Sequence, residues 1–191
     1  PISTWGKNFG FVPFANYPNG VPYRVLASED NTQVYFNGAL AATLNAGQIY
    51  PSAFTATPPT ISVPTSITAD KPICVTEYMQ SSGCSGAGTI QGDPDMVVLN
   101  PIEQNISDIT IFSTKQEVIR TQWVNSLIKN AGITKFKISR NGGPLAAPTG
   151  TWQSFAALPG YSYLQQQLVL PGTGPNPISD SYRLVSDSGF N

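Results

Sequence analysis

Apolar residues in this chain come in short runs with a period near two, and Gly, Pro, Asn or Asp breaks nearly every run. That pattern fits strands with one buried face and leaves little room for long helices. Trp5 to Phe14 reads as an aromatic strand stopped at Pro13, and Tyr23 to Ala27 and Gln33 to Phe36 read as two more. Asn37-Gly38, a pair that tolerates two positive φ angles, predicts a tight hairpin turn with Leu40 to Leu44 as the return strand. Ile73 to Met79 is β-branched, alternating and entered through Asp70-Lys71-Pro72; Met96 to Leu99, Ile109 to Phe112 and Ile133 to Ser139 are further strands. The proline-rich stretch from Phe54 to Pro64 fits only loop or edge strand. In Val118 to Leu127 the apolar residues also match a helical spacing.

An internal repeat favours strand there. V-Y-F-N-G (34–38), A-G-Q-I-Y (46–50) and T-A-D-K-P-I (68–73) recur in the same order as I-S-R-N-G (138–142), P-G-Y-S-Y (159–163) and V-S-D-S-G-F (185–190). The mapping sets Tyr23 to Ala27 against a stretch near Gln122 to Ile128. The expected architecture is all-β with little helix: two tandem β-sandwich-like repeats, residues 1–84 and 96–191. The Gly-rich stretch 85–95 is the linker and turn. A propeller-like β architecture is the alternative that short strands and frequent turns also allow. Val185 to Phe190 matches the segment that opens the Ile73 to Met79 strand, so the second repeat is expected to be cut short at its C-terminal strand.

Composition removes several functions. The 191 residues hold 10 basic and 11 acidic side chains and no histidine, and Ser, Thr, Asn and Gln account for 59 of them. Without histidine there is no Ser-His-Asp triad, no Cys-His dyad and no His-ligated zinc. Ten dispersed cations give no footprint for nucleic acid. No apolar run approaches the roughly 20 residues of a transmembrane segment.

Three groups of residues could carry chemistry. Cys74 and Cys84 could staple the Gly/Ser loop by a disulfide, which would imply export, or stay as two thiols. Glu29-Asp30, and Asp93-Pro94-Asp95 with Glu103, could pair as glycosidase carboxylates or hold calcium, but carboxylates in turns mostly cap backbone amides. Neither an enzyme nor a metal or other cofactor is expected. Aromatics cluster early and late, and Trp152, Tyr161 and Tyr163 are the candidates for an exposed ligand-binding row; at alternating spacing such residues are commonly core.

Read in order, S-x-W-G-K-N-F (3–9), Y-R-V-L-A-S-E-D-N-T-x-V (23–34), I-T-A-D-K-P-I (67–73), E-Y-M-x-S-x-x-C (77–84), G-D-P-D-M-V-V-L-N-P-I-E-Q (92–104) and S-D-S-G-F-N (186–191) form a series. The series resembles the IgGFc-binding protein N-terminal domain family, in its bacterial branch more than in the animal mucus protein that gives the family its name. The resemblance implies a secreted or surface-displayed binding region, accompanied by further domains of the same polypeptide. It also implies a structural role for the most specific motif: Gly92 and Pro94 set a turn, Asp93 caps amides and Met96 enters the sheet. Asn100 and Pro101 then end the strand, and Glu103 and Gln104 pair with neighbouring backbone. Taken together, the expectation is a non-catalytic adhesion module, extracellular or at the cell surface, with a host glycoprotein, immunoglobulin or glycan as ligand. The alternative is a purely structural spacer in a long surface protein.

Overall fold

The computed structural model describes residues 2–52, 58–81, 83–84, 94–114, 119, 121–169 and 179–191. The chain divides into two units, Pro1–Gln104 with Ala156–Pro159, and Asn105–Phe155 with Gly160–Asn191. Both are all-β, and the only helix among the described residues is in short 3-10 turns. Among the described residues the sheets have eight, three and three strands rather than repeated four-stranded blades.

The first unit is built on one unusually long strand. Its strands are β1 (Gly6–Phe11), β2 (Val21–Ala27), β3 (Thr32–Phe36), β4 (Ala39–Leu44), β5 (Ile49–Tyr50), β6 (Thr60–Ile61), β7 (Thr65–Met79) and β8 (Asp95–Val98). The sequence led us to expect β7 to begin at Ile73, yet it runs through Asp70-Lys71-Pro72 from Thr65. The first half lies between β1 and β3, with Thr68 opposite both Asn8 and Tyr35. Beyond Ile73 it lies between β2 and β8, with Thr76 opposite both Arg24 and Val98. The change of partners falls where Pro72 has no N–H to give. Its carbonyl instead accepts from the Ser28 N–H (3.2 Å) and hydroxyl (2.6 Å). One strand therefore serves two sets of neighbours, and the sheet curls into a nearly closed, barrel-like wall. Phe9, Phe11, Val21, Val25, Val34, Ile67, Ile73 and Val75 fill it.

The second unit has β9 (Ile106–Thr114), β10 (Trp123–Lys129), β11 (Lys137–Arg140), β12 (Gln153–Ser154), β13 (Tyr161–Gln167) and β14 (Ser179–Phe190). They form two three-stranded sheets, ordered β10-β13-β12 and β11-β14-β9. Ile128 and Leu164 from one sheet and Tyr182, Leu184 and Phe190 from the other share a core with Phe136. Of the segment that also fitted a helix, Trp123 to Leu127 lies in strand β10, and residues 118 and 120 lie outside the described residues. Conversely, Asn130–Lys135 is a 3-10 helix where strand was expected from Ile133. The reason is the three-residue turn: it places residues i and i+3 on one side, so both Ile133 and Phe136 reach the core.

Two local features occur in both units. Asn37-Gly38 and Asn141-Gly142 are turns with all four φ angles positive, at 51°, 82°, 51° and 71°. Behind them Val34 pairs with Ala42, and Ile138 bridges Ala146.

Candidate functional site

Strand β13 reads Tyr-Ser-Tyr-Leu-Gln-Gln-Gln, and its burial alternates strictly. Ser162, Leu164 and Gln166 are buried, whereas Tyr161, Tyr163 and Gln165 are half-buried on the opposite face. An antiparallel ladder places directly opposed residues on one face. The tyrosine face therefore continues onto β10 through the pairs Tyr161–Lys129, Tyr163–Leu127, Gln165–Asn125 and Gln167–Trp123. On the other side Gln153 of β12 lies opposite Tyr163.

Side-chain bonds tie this face together. The Tyr163 hydroxyl donates to Gln153 Oε1 at 2.6 Å, and the Gln165 amide donates to Asn125 Oδ1 at 3.3 Å. Phe155 sits edge-on to Tyr163, with ring centroids 6.0 Å apart, and half-burial pushes the Tyr163 phenol above its ordinary range. The result is a patch of phenol, amide and indole groups with one cation, Lys129, at its end. Such a patch can stack on an apolar or sugar face and hydrogen-bond around it.

The three aromatic candidates do not form one row. Tyr161 and Tyr163 share this face, but Trp152 lies on the other side, edge-on to buried Phe136 at 5.3 Å. Asn125, Gln153, Gln165 and Trp123 belong to the patch, and the sequence reading did not single them out. The alternation in β13 marks Gln165, while the cross-strand partners depend on a register that no single segment shows.

The motif residues sit elsewhere, in the first unit. Gly92 and Asp93 lie outside the described residues. Pro94 directly precedes β8, which holds Met96 exposed, and Asn100 and Pro101 follow it. Pro101 packs where a side chain on Gly6 would be: a Cβ there would lie 2.2 Å from Pro101 Cβ. Glu103 Oε1 accepts from the Lys7 N–H (3.2 Å) and from Asn8 Nδ2 (2.6 Å), and Gln104 donates to the Ser3 carbonyl. Trp5-Gly6 and Asn100–Gln104 thus belong to one small structure on the outer edge of β1.

Cys74 is half-buried on β7 and Cys84 is exposed; both are free thiols in this structure. Asp30 and Asp70 accept backbone N–H groups of Ala46 and Gln33, a turn-capping arrangement. Two acids are buried among the described residues: Asp180, paired with Arg140, and Glu77, opposite Tyr23 on the inner face of β7, where burial pushes its carboxyl up to about 8. Among the described residues its Oε2 has no hydrogen-bond partner, and no three His, Cys, Asp or Glu side chains are grouped to hold a metal ion. No helix among these residues is long and apolar enough to cross a membrane.

Compared with known proteins, the chain matches the model of one family, the IgGFc binding protein family, over residues 1–191. No curated protein and no solved structure matches it.

Proposed function

We propose a non-catalytic binding module, from the premise that this chain belongs to the IgGFc binding protein family along its whole length. That membership is the observation that carries the reading, since it implies a domain that recognises another protein. The motif series of the sequence points further, to the bacterial branch and to a secreted or surface-displayed parent polypeptide with additional domains. A surface rich in hydroxyls and amides and poor in charge suits that setting.

The ligand is a host glycoprotein, an immunoglobulin or a glycan, and it docks on the patch of Tyr161, Tyr163, Gln153, Gln165, Asn125 and Trp123. Neutral amides beside aromatic rings favour an uncharged partner surface. The two units are tandem copies of one sandwich-like repeat, a reading supported by the shared motif order and by the matching Asn-Gly turns. A glycan array run beside pull-downs with IgG Fc and with mucin tests the function. Capture by one of them, lost on replacing Tyr161 and Tyr163 by alanine, is the expected result. Silence in all three overturns it.

A further inference from the structure

Within these 191 residues one asparagine, Asn105, is followed two places on by a serine or threonine, and the residue between them, Ile106, is not proline. That spacing is the acceptor signal for an asparagine-linked glycan on an exported protein. A signal of three residues is short, and the fold decides whether it can be used. Asn105 is exposed in the link between the 3-10 turn Ile102–Gln104 and β9, and Ser107 is exposed at the second position of β9. Ile106 packs on the core of the second unit between them. Two residues apart on an extended chain, the amide and the hydroxyl stand on one side.

The backbone at this point is not locked in a ladder. Asp108 pairs with Val185 and Ile106 with Phe190, so β14 sets Ser186, Asp187, Ser188 and Gly189 against Ser107 alone. The surplus forms a bulge bonded to itself, the Ser188 N–H donating to Ser186 Oγ at 3.3 Å. Gly189 in that bulge has φ of 70°, and a Cβ on it would lie 2.6, 2.7 and 2.9 Å from Asn105 Cγ, Oδ1 and Nδ2. Three nearly equal distances mean that the amide lies flat over Gly189, in space that any other residue would fill. Among the described residues no hydrogen bond holds this amide or the Ser107 hydroxyl, whereas the amides of Asn8, Asn130 and Asn141 are all bonded.

We infer that Asn105 is the acceptor site for an N-linked oligosaccharide, transferred whole from a polyprenyl pyrophosphate by an oligosaccharyltransferase. Nδ2 of Asn105 attacks the anomeric carbon of the donor sugar. The C–N bond forms as the C–O bond to the pyrophosphate breaks; the polyprenyl pyrophosphate leaves with the electron pair, and a carboxylate of the transferase takes the amide proton. The Ser107 hydroxyl, on the same side, is the group by which the transferase holds the acceptor. Because the segment borders a bulge and its amide is unbonded, the folded chain presents it without breaking the sheet. The inference rests on the exported setting proposed above, where such donors and transferases work, and is independent of the tyrosine patch.

The test is to incubate the folded full chain with a single-subunit oligosaccharyltransferase and a polyprenyl-pyrophosphate oligosaccharide, beside a synthetic peptide spanning Pro101 to Thr110. Peptide mapping by mass spectrometry should find one glycan, on Asn105. Its rate of attachment should be within about tenfold of that on the peptide, since the segment needs no local unfolding. Ser107→Ala should stop the transfer and Ser107→Thr should keep it, with near-ultraviolet circular dichroism unchanged in both. A peptide that accepts the sugar while the folded chain stays bare would overturn the inference, because the fold would then seal the site. Transfer to neither, or transfer that survives Ser107→Ala, would overturn it as well. Ser107→Ala keeps Tyr161 and Tyr163, so ligand capture by that variant reports on the proposed function separately from glycosylation.

Discussion

Asn37 and Ser66 hold each other by two bonds: the Asn37 N–H donates to the Ser66 carbonyl, and the Ser66 N–H donates to Asn37 Oδ1, both at 2.9 Å. Asn141 makes the same pair with Ser181, again at 2.9 Å each. The arrangement needs a residue that accepts φ near 51° and carries an oxygen three bonds from its Cα. Asn37→Ala should cost about 2 kcal/mol, from the left-handed backbone and the lost acceptor together. Asn37→Gly should cost about half as much, because it keeps the backbone freedom. Urea unfolding of the two variants checks the order.

Gly6 is constrained by crowding rather than by φ. Since a Cβ would overlap Pro101 and come within 2.9 Å of Glu103 Oε2, Gly6→Ala must push that turn off β1. The expected loss is about 2–3 kcal/mol, with the Lys7 amide exchanging faster as Glu103 withdraws. Gly83→Ala, where nothing lies within 4 Å, should leave Tm within a degree of the parent.

How much of this was legible in the sequence divides by range. The Asn-Gly turns, strand type and the all-β class follow from local chemistry, and they are there. The partner change within β7 was not legible, because Asp70-Lys71-Pro72 reads as a strand entry when only its own side chains are considered. Its role as a bend depends on β1 and β3 ending their pairing just there. Asn130–Lys135 was misread for the complementary reason: alternation from Ile133 looks extended, but the core takes Ile133 and Phe136 together. At the candidate site, β13 was half legible. The shared face of Tyr161 and Tyr163 follows from their spacing, whereas the amides beside them come from strands 10 to 40 residues away.

Glu77 gives the chain a pH dependence of definite sign. Its folded-state value of about 8 lies above the ordinary 4.5, so the folded protein holds an extra proton between those values. The stability this provides is complete below about pH 4.5 and is lost as pH rises through about 8. The slope is at most about 1.4 kcal/mol per pH unit in mid-window. Tyr23, opposite it, is pushed up to about 12, mainly by burial, and stays neutral throughout. Glu77→Gln should remove the slope and be more stable than the parent at pH 8. A parent and variant with parallel Tm profiles from pH 4.5 to 8.5 would show that Glu77 ionises freely.

Trp152 and the tyrosines should separate fold from binding. Trp152 packs edge-on against Phe136, whose ring meets Phe190 in the same manner at 5.1 Å. Trp152→Ala therefore removes a partly buried ring packed against the core of the second unit and should cost about 3 kcal/mol. Tyr161 and Tyr163 stand half-buried on the far face, and replacing both by serine removes a ring contact with Phe155 and the bond to Gln153. Their joint loss should be smaller, about 1–2 kcal/mol, with the chain still folded at room temperature. Ligand capture should then respond in the opposite order: abolished in the double tyrosine variant at a temperature where it is fully folded, and retained by folded Trp152→Ala. Near-ultraviolet circular dichroism with the pull-down at one temperature decides it. Capture that survives in the tyrosine variant would place the ligand on another surface.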